Sequence, residues 1–179
     1  MDCSSPIVGG CTGRAVLIPA DSARAVLSVI GNNAAIVGIP EELYAIDNSM
    51  LTTPFDGSNT TGSNEAGRAQ FVKTFSGRIL TRGADVSAKI VEAISYHGNG
   101  YVAVLEKRDK TFTPNKEGKY ELVGANKELR CVDPSTVVRN ENENGGSVSF
   151  SLQTTEGLFE IDHVAGVSFN GLWNAAINR

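Results

Sequence analysis

The side chains in this sequence best suited to chemistry are three cysteines and two histidines. A cysteine hydrolase needs a thiol beside an imidazole. The available partners are Cys11 or Cys131 with His97 or His163. Cys131 lies in an apolar context typical of a buried, inert thiol, and His97 lies in a glycine-rich turn typical of an exposed side chain. These surroundings favour structural roles for both residues.

A short match, Ile7-Val8-Gly9-Gly10, has the sequence of the activated amino terminus of trypsin-like proteases. Such enzymes also need a histidine in a small-residue context and a serine flanked by Gly-Asp and Gly-Gly, and the sequence contains neither pattern. The residue before Ile7 is Pro6 rather than a basic cleavage point. We interpret the match as coincidence.

Motifs for binding a metal or a phosphate are missing at the required spacings. No C-x₂₋₄-C or H-x₃₋₅-H pair is present for zinc, and no glycine-rich phosphate loop is present. The paired carboxylates Glu41-Glu42 and Glu141/Glu143 lie in polar segments, which is typical of solvated side chains. The sequence therefore predicts a protein that is not an enzyme, with no cofactor and no catalytic or metal-binding residues.

The composition is that of an ordinary globular chain, with 41% hydrophobic and 20% charged residues. At 179 residues the chain is expected to form a single β-rich domain over residues 1–179, and its 19 glycines indicate many turns. The net charge of −4 argues against a protein that holds nucleic acid by its phosphates.

The first residues lack the basic and apolar regions of a secretory signal, and no long apolar run is present for a membrane span. The three cysteines cannot all pair within one chain. We therefore expect a protein made in a cytoplasm, with free thiols and no membrane association.

Short apolar runs between turn residues predict eight or so strands. The clearest is Ser147–Thr154, where Val148, Phe150 and Leu152 alternate with polar residues. Further strand predictions are 14–19, 34–39, 70–75, 77–81, 101–106, 120–124, 129–132 and 158–162. Helical spacing of apolar residues predicts one helix over residues 85–96. We expect a mainly β fold with one α-helix: a β-sandwich or small barrel, in meander order, flanked by that single helix.

Three segments have little use in a compact monomer. The amino-terminal arm (1–13) is small and glycine-rich, and the carboxy-terminal arm (165–179) carries aromatic residues with few neighbours to hold them. The long polar loop (51–68) has almost nothing to bury, and loops of this length are usually functional or disordered. We expect contacts between subunits in these segments. The candidate subunit-contact residues are Phe55, Asp56, Asn59, Phe169 and Trp173.

Four stretches follow one another along the chain. They are a glycine-rich arm entering a first strand (9–18), a helix-to-strand passage (89–94, then 101–106), the stretch 118–124 and a late strand (146–152). Taken together, they resemble the tail tube and related tail-structure proteins of tailed phages that infect Bacteroidetes. The resemblance covers most of residues 9–165 as a pattern of elements. This sequence has fewer aromatic residues in the first strand and a longer middle loop than that pattern.

The resemblance implies a β-sandwich flanked by one helix, in a virion protein made in the host bacterial cytoplasm. Its partners would be copies of itself in a ring and in stacked rings, other virion proteins, and DNA only as passing cargo. Edge strands would join neighbouring subunits, and the long loop and the arms would reach the next ring.

Two other functions stay open at this point. One is a capsid decoration or head–tail connector protein, which is still a virion structural role. The other belongs to a different class: a ligand- or carbohydrate-binding β-sandwich, with Trp173 or Tyr101 as a stacking platform.

Overall fold

The computed structural model describes residues 11–30, 33–47, 55–63, 69–80, 84–96, 98–107, 120–140, 147–154, 161–163 and 167–178. This part of the chain is mostly β-structure in three sheets, as the sequence predicts. The strands are β1 (Cys11–Pro19), β2 (Leu27–Ile30), β3 (Asn33–Ile36), β4 (Tyr44–Asp47), β5 (Phe55–Ser63), β6 (Ala69–Leu80), β7 (Tyr101–Lys107), β8 (Tyr120–Val123), β9 (Val138–Asn140), β10 (Ser147–Thr154) and β11 (Ile161–His163). The helices are α1 (Ala20–Arg24), α2 (Ala84–Tyr96) and α3 (Phe169–Ile177), with a 3₁₀ turn at Pro134–Thr136.

A five-stranded antiparallel sheet, in the order β11-β8-β7-β1-β4, contributes side chains to two separate apolar cores. Strands β1 and β7 are buried on both faces because consecutive positions in them are apolar. One face carries Ala15, Leu17, Ala103 and Leu105, and the opposite face carries Val16, Ile18, Val102 and Val104.

The first core joins this sheet to a four-stranded sheet in the order β5-β6-β10-β9. The predicted alternation in β10 is confirmed, since Val148, Phe150 and Leu152 are all buried. The ring of Phe150 meets that of Phe75 from β6 edge to face, with 5.6 Å between the ring centroids. Ile94 of α2 is buried in the same core, so this helix covers it from outside the sheets.

The second core lies on the opposite face of the five-stranded sheet. Phe169 and Leu172 of α3 are buried there, together with Ile36 from the small β2-β3 sheet. Ser168 caps the start of α3, because its Oγ accepts a hydrogen bond from the Gly171 N–H at 3.1 Å. The carboxy-terminal helix is thus packed within this chain.

A short segment ties the two large sheets together by hydrogen bonds. Leu129 exchanges two backbone hydrogen bonds of 2.8 Å with Tyr101, and Arg130 exchanges two of 2.8 Å with Gln153. Gly124 precedes this segment at a φ of +89°, and a Cβ there would lie 2.9 Å from the Tyr101 carbonyl oxygen. Only glycine fits that position without strain.

The helix predicted over residues 85–96 is confirmed as α2, but the predicted meander order is wrong. Strand β1 pairs with β4 on one side and with β7 on the other, and β6 pairs with β10. The reason is that apolar periodicity identifies strands locally, whereas pairing depends on which faces are buried together.

Two predicted unstructured segments contain regular structure. The segment predicted as a polar loop (51–68) contains β5, which pairs with β6 residue by residue from Phe55 opposite Gly77 to Ser63 opposite Ala69. Backbone hydrogen bonds hold such a strand, so its polar side chains produce no apolar signal. The predicted carboxy-terminal arm contains α3, which also corrects the expectation of a single helix, and β1 begins at Cys11, within the predicted amino-terminal arm.

Candidate subunit-contact site

The predicted contact residues fall into two groups that lie on different parts of the molecule. Phe55, Asp56 and Asn59 belong to β5, an edge strand of the four-stranded sheet, and the structure describes their backbone only. Phe169 and Trp173 belong to α3, which packs on the face of the five-stranded sheet that points away from the four-stranded sheet. The structure therefore does not bring the two groups together.

A polar cluster joins α3 to the first strand. Arg14 in β1 binds the carboxylate of Glu106 in β7 through two nitrogens of its guanidinium group. Its Nε donates to Oε2 at 2.8 Å, and an Nη donates to Oε1 at 2.6 Å. The hydroxyl of Thr12 donates to the same Oε2 at 2.6 Å. The Glu106 carboxylate is buried at 4% exposure, and the paired guanidinium supplies the charge compensation that burial demands.

The guanidinium of Arg14 also faces two aromatic rings of α3. Its carbon lies 5.4 Å from the ring centroid of Phe169 and 5.3 Å from that of Trp173. The two rings stack on each other with 6.1 Å between centroids and 22° between planes. Contacts of this kind are worth about 0.5–2 kcal/mol each. We call Thr12, Arg14, Glu106, Phe169 and Trp173 the Arg14 cluster.

Hydrogen bonds hold the two charged side chains of this cluster, Arg14 and Glu106, in place. The hydrogen bond from Arg14 to Glu106 raises the pKa of the arginine, and burial only partly opposes that rise. Both oxygens of the Glu106 carboxylate accept hydrogen bonds within the cluster. A carboxylate so occupied is better suited to holding structure than to transferring protons.

Sequence reasoning predicted the two aromatic residues of this cluster but missed Arg14, Glu106 and Thr12. A signal was present: Arg14 and Glu106 are opposite charges at the ends of two strongly apolar runs, at 14–19 and 101–106. A charge that leads into a buried strand needs a partner of the opposite sign. Phe169 is 3% exposed, so its ring already has its neighbours within this chain.

The aromatic platforms considered for a carbohydrate ligand are both engaged in the fold. Tyr101 is buried, and its hydroxyl donates to the Ala93 carbonyl oxygen of α2 at 2.5 Å. Burial raises the pKa of Tyr101 strongly, which keeps this hydroxyl protonated. Trp173 is half-buried against Phe169 and Arg14.

Cys131 is the one candidate for thiol chemistry whose side chain lies in the described part of the chain. It is half-buried against the first core, and burial raises the pKa of its thiol although a hydrogen bond with Thr136 opposes that effect. A thiol with a raised pKa is a poorer nucleophile at neutral pH. His97 lies outside the described residues, and Cys11 and His163 are described in their backbone only.

The described ranges also bear on metal sites and on membrane spans. They contain no cluster of three or more His, Cys, Asp or Glu side chains arranged to hold a metal ion. None of the helices found there is long and apolar enough to span a membrane.

Comparison of the sequence with protein-family models, with curated proteins and with solved structures found no match. The resemblance to phage tail proteins therefore stays a prediction.

Proposed function

We propose that this chain is a structural subunit of a phage virion, most specifically a tail tube protein that assembles with copies of itself into stacked rings around a conduit for DNA. The observation that carries the proposal is the arrangement of sheet edges. Among the described strands, β4 and β11 end the five-stranded sheet and β5 and β9 end the four-stranded sheet, each with a pairing partner there on one side. Such edges offer N–H and C=O groups to a strand of another subunit.

The fold of the core supports the same proposal. A tail tube subunit would be a β-sandwich flanked by one helix. The apolar core shared by the five-stranded and four-stranded sheets, with Ile94 of α2 against it, is compatible with that arrangement. In this interpretation α2 is the flanking helix, and α3 is an addition that covers the opposite face of the five-stranded sheet.

The surface chemistry suits a conduit that DNA must pass without sticking. The face of β10 that points away from the core carries Ser149, Ser151 and Gln153, opposite Arg78, Ser76 and Thr74 of β6. Ser76 donates its hydroxyl hydrogen to the hydroxyl of Ser151 at 3.2 Å, so these side chains partly satisfy each other. Arg78 is the one cation among these six residues, and on a chain of net charge −4 such a face offers few cations to hold phosphates.

Electron microscopy and native mass measurement of the purified full-length protein test the proposal. We expect rings of uniform diameter, or tubes built from them, at high protein concentration. A protein that stays strictly monomeric across salt and concentration would contradict it.

A single substitution at a sheet edge sharpens the test. Val138→Lys places a charge on the exposed part of edge strand β9 and should weaken assembly, because edge lysines oppose strand pairing. Ile177→Lys, which changes another exposed apolar residue, on α3, is the matched control and should assemble normally.

The position of the protein in the particle decides between the virion roles. Antibody label along the tail shaft is the expected result. Label over the capsid surface or at the neck would instead assign the protein as a decoration or a head–tail connector protein.

A further inference from the structure

Strand β5 is the longest of the strands that end the two large sheets in the described part of the chain. It has nine residues, whereas β4 has four and β9 and β11 have three each. It pairs with β6 at every position, from Phe55 opposite Gly77 to Ser63 opposite Ala69. Among the described strands, none pairs with its other side. A long, regular edge of this kind is a template for pairing with another chain.

Strand β5 lacks the features that usually protect such an edge. Proteins prevent unwanted pairing with a lysine or a proline in the edge strand, or with a bulge that twists it away. The sequence of β5, FDGSNTTGS, contains neither lysine nor proline, and its only charged residue is Asp56 near one end. Its register with β6 is unbroken, so it contains no bulge. The strand is therefore open to pairing on its free side.

The backbone groups on that free side follow from the hydrogen bonds of the neighbouring strands. Gln153 of β10 exchanges two backbone hydrogen bonds of 2.8 Å with Arg130, on the side of β10 away from β6. In an antiparallel sheet, successive residues bond alternately to one side and to the other. Across the unbroken registers of β10, β6 and β5, the even-numbered residues of β5 therefore bond to β6. Its odd-numbered residues, from Phe55 to Ser63, direct their N–H and C=O groups to the free side.

Two copies of β5 can pair with each other antiparallel, about a two-fold axis at Asn59. In that register Asn59 lies opposite Asn59 of the second copy, Gly57 opposite Thr61, and Phe55 opposite Ser63. All of these are odd-numbered residues, so the two strands exchange about ten backbone hydrogen bonds. This register uses every residue of both strands.

Charge complementarity distinguishes β5 from the shorter edge strands. In the register about Asn59, the one charged residue of β5, Asp56, lies opposite Gly62 of the second copy. The same operation on β9 would place Arg139 opposite Arg139, and on β11 it would place Asp162 opposite Asp162. Like charges at directly opposed positions destabilise a pair of strands. A second copy of β5 is therefore a compatible partner for this edge.

We propose that β5 is a dimer interface, at which two copies of the chain pair antiparallel about Asn59 and join their four-stranded sheets into one continuous sheet. The main chain supplies the affinity in such a contact, which suits a strand that is almost entirely polar. A contact between identical surfaces about a two-fold axis closes on itself and gives a dimer. The inference goes beyond the proposed function, because it pairs two copies and leaves the edges at β4, β9 and β11 for the contacts of a ring.

Substitution of Asn59 tests the proposal with the full-length protein. Asn59→Asp places two carboxylates opposite each other across the axis, whereas within the chain position 59 lies opposite Lys73, so the pairing of β5 with β6 should be retained. We expect the dissociation constant of the dimer to rise at least about ten-fold, because like charges then meet. Asn59→Lys should weaken the dimer as well. An equal mixture of the two variants should restore it, because unlike charges then meet at the axis.

Sedimentation velocity and native mass measurement give the dimer content, and circular dichroism checks that each variant is folded. Asn170→Asp is the matched control, since it adds the same charge at an exposed position of α3, and it should dimerise like the wild type.

Amide hydrogen exchange measured by nuclear magnetic resonance gives a second readout. As the protein concentration rises, the amides of Gly57, Asn59 and Thr61 should exchange more slowly, because the dimer occupies them. The amides of Ser58 and Thr60 are bonded to β6 already and should exchange at an unchanged rate. Equal slowing along the whole strand, or none, would overturn the proposed register.

Other outcomes separate this contact from the proposed function. Wild-type dimerisation by both Asn59 variants would overturn the β5 contact, and so would a loss of dimer that mixing does not restore. Rings in which the amides of Gly57 and Thr61 exchange as in the monomer would overturn the contact and leave the proposed function intact. A closed dimer that never forms rings would support the contact and contradict the proposed function. A chain that stays monomeric throughout would contradict both.

Discussion

Arg14 links the two ends of the described chain through its side chain alone. It lies near the start of β1, pairs with Glu106 at 2.6–2.8 Å and faces the rings of Phe169 and Trp173 in α3. Arginine suits this position better than lysine, because a flat guanidinium can bind a carboxylate with two hydrogen bonds while its face contacts an aromatic ring. Burial of the Glu106 carboxylate makes the pair sensitive to the loss of either partner.

The first prediction concerns this pair. Glu106→Gln should lower the free energy of unfolding by about 3 kcal/mol, because it leaves the guanidinium of Arg14 partly buried without its anion. Urea denaturation of the monomer measures the change. Glu128→Gln is the matched control, since it removes the carboxylate partner of Arg24, whose side chain is 62% exposed, and should cost much less. Equal losses in the two variants would contradict the special role of the buried pair.

At the scale of elements, the packing of helix α3 determines whether the carboxy-terminal segment is part of the folded monomer. Its apolar side chains at Phe169 and Leu172 are spaced for one face of a helix, and that face packs on the five-stranded sheet. The cap from Ser168 fixes where the helix begins. We therefore expect this segment to be folded in the isolated chain.

The second prediction follows from that packing. Leu172→Ala should destabilise the monomer by about 3 kcal/mol, because it leaves a cavity at a fully buried position. Ile177→Ala, on the exposed end of the same helix, should change the free energy of unfolding by less than about 0.5 kcal/mol. Chemical denaturation at low protein concentration gives both values. If Leu172→Ala leaves the monomer unchanged in stability, the packing of α3 against the five-stranded sheet does not form in the isolated monomer.

At the scale of the whole molecule, the five-stranded sheet is the element shared by both cores. Its strands β1 and β7 present one face to the four-stranded sheet and α2, and the other face to α3 and the β2-β3 sheet. Loss of either core would remove half of the burial of those strands. The two cores should therefore unfold together.

The third prediction tests that cooperativity. Trp173 is the single tryptophan of the chain and reports on α3, whereas far-ultraviolet circular dichroism reports chiefly on the sheets. Urea transitions followed by the two signals should have the same midpoint if unfolding is two-state. A tryptophan transition at clearly lower urea would show that the carboxy-terminal helix undocks on its own.

Local patterns in the sequence were enough to predict the class of fold and several of its elements. The alternation of Val148, Phe150 and Leu152 predicted β10, and a helical stripe predicted α2, because each signal depends on residues close together in the chain. The same patterns could not predict that the polar stretch at 55–63 forms β5, since backbone pairing with β6 leaves no mark on side-chain polarity.

The residues of the candidate site were also only partly predictable from the sequence. The sequence by itself indicated that the aromatic side chains of Phe169 and Trp173 need packing partners, but it did not identify which residues those partners are. Arg14 and Glu106 are 92 positions apart, and only the pairing of β1 with β7 brings them together beneath α3. Periodicity is a property of neighbouring residues, whereas these contacts depend on which apolar faces are buried against each other, and that was decided by the tertiary structure.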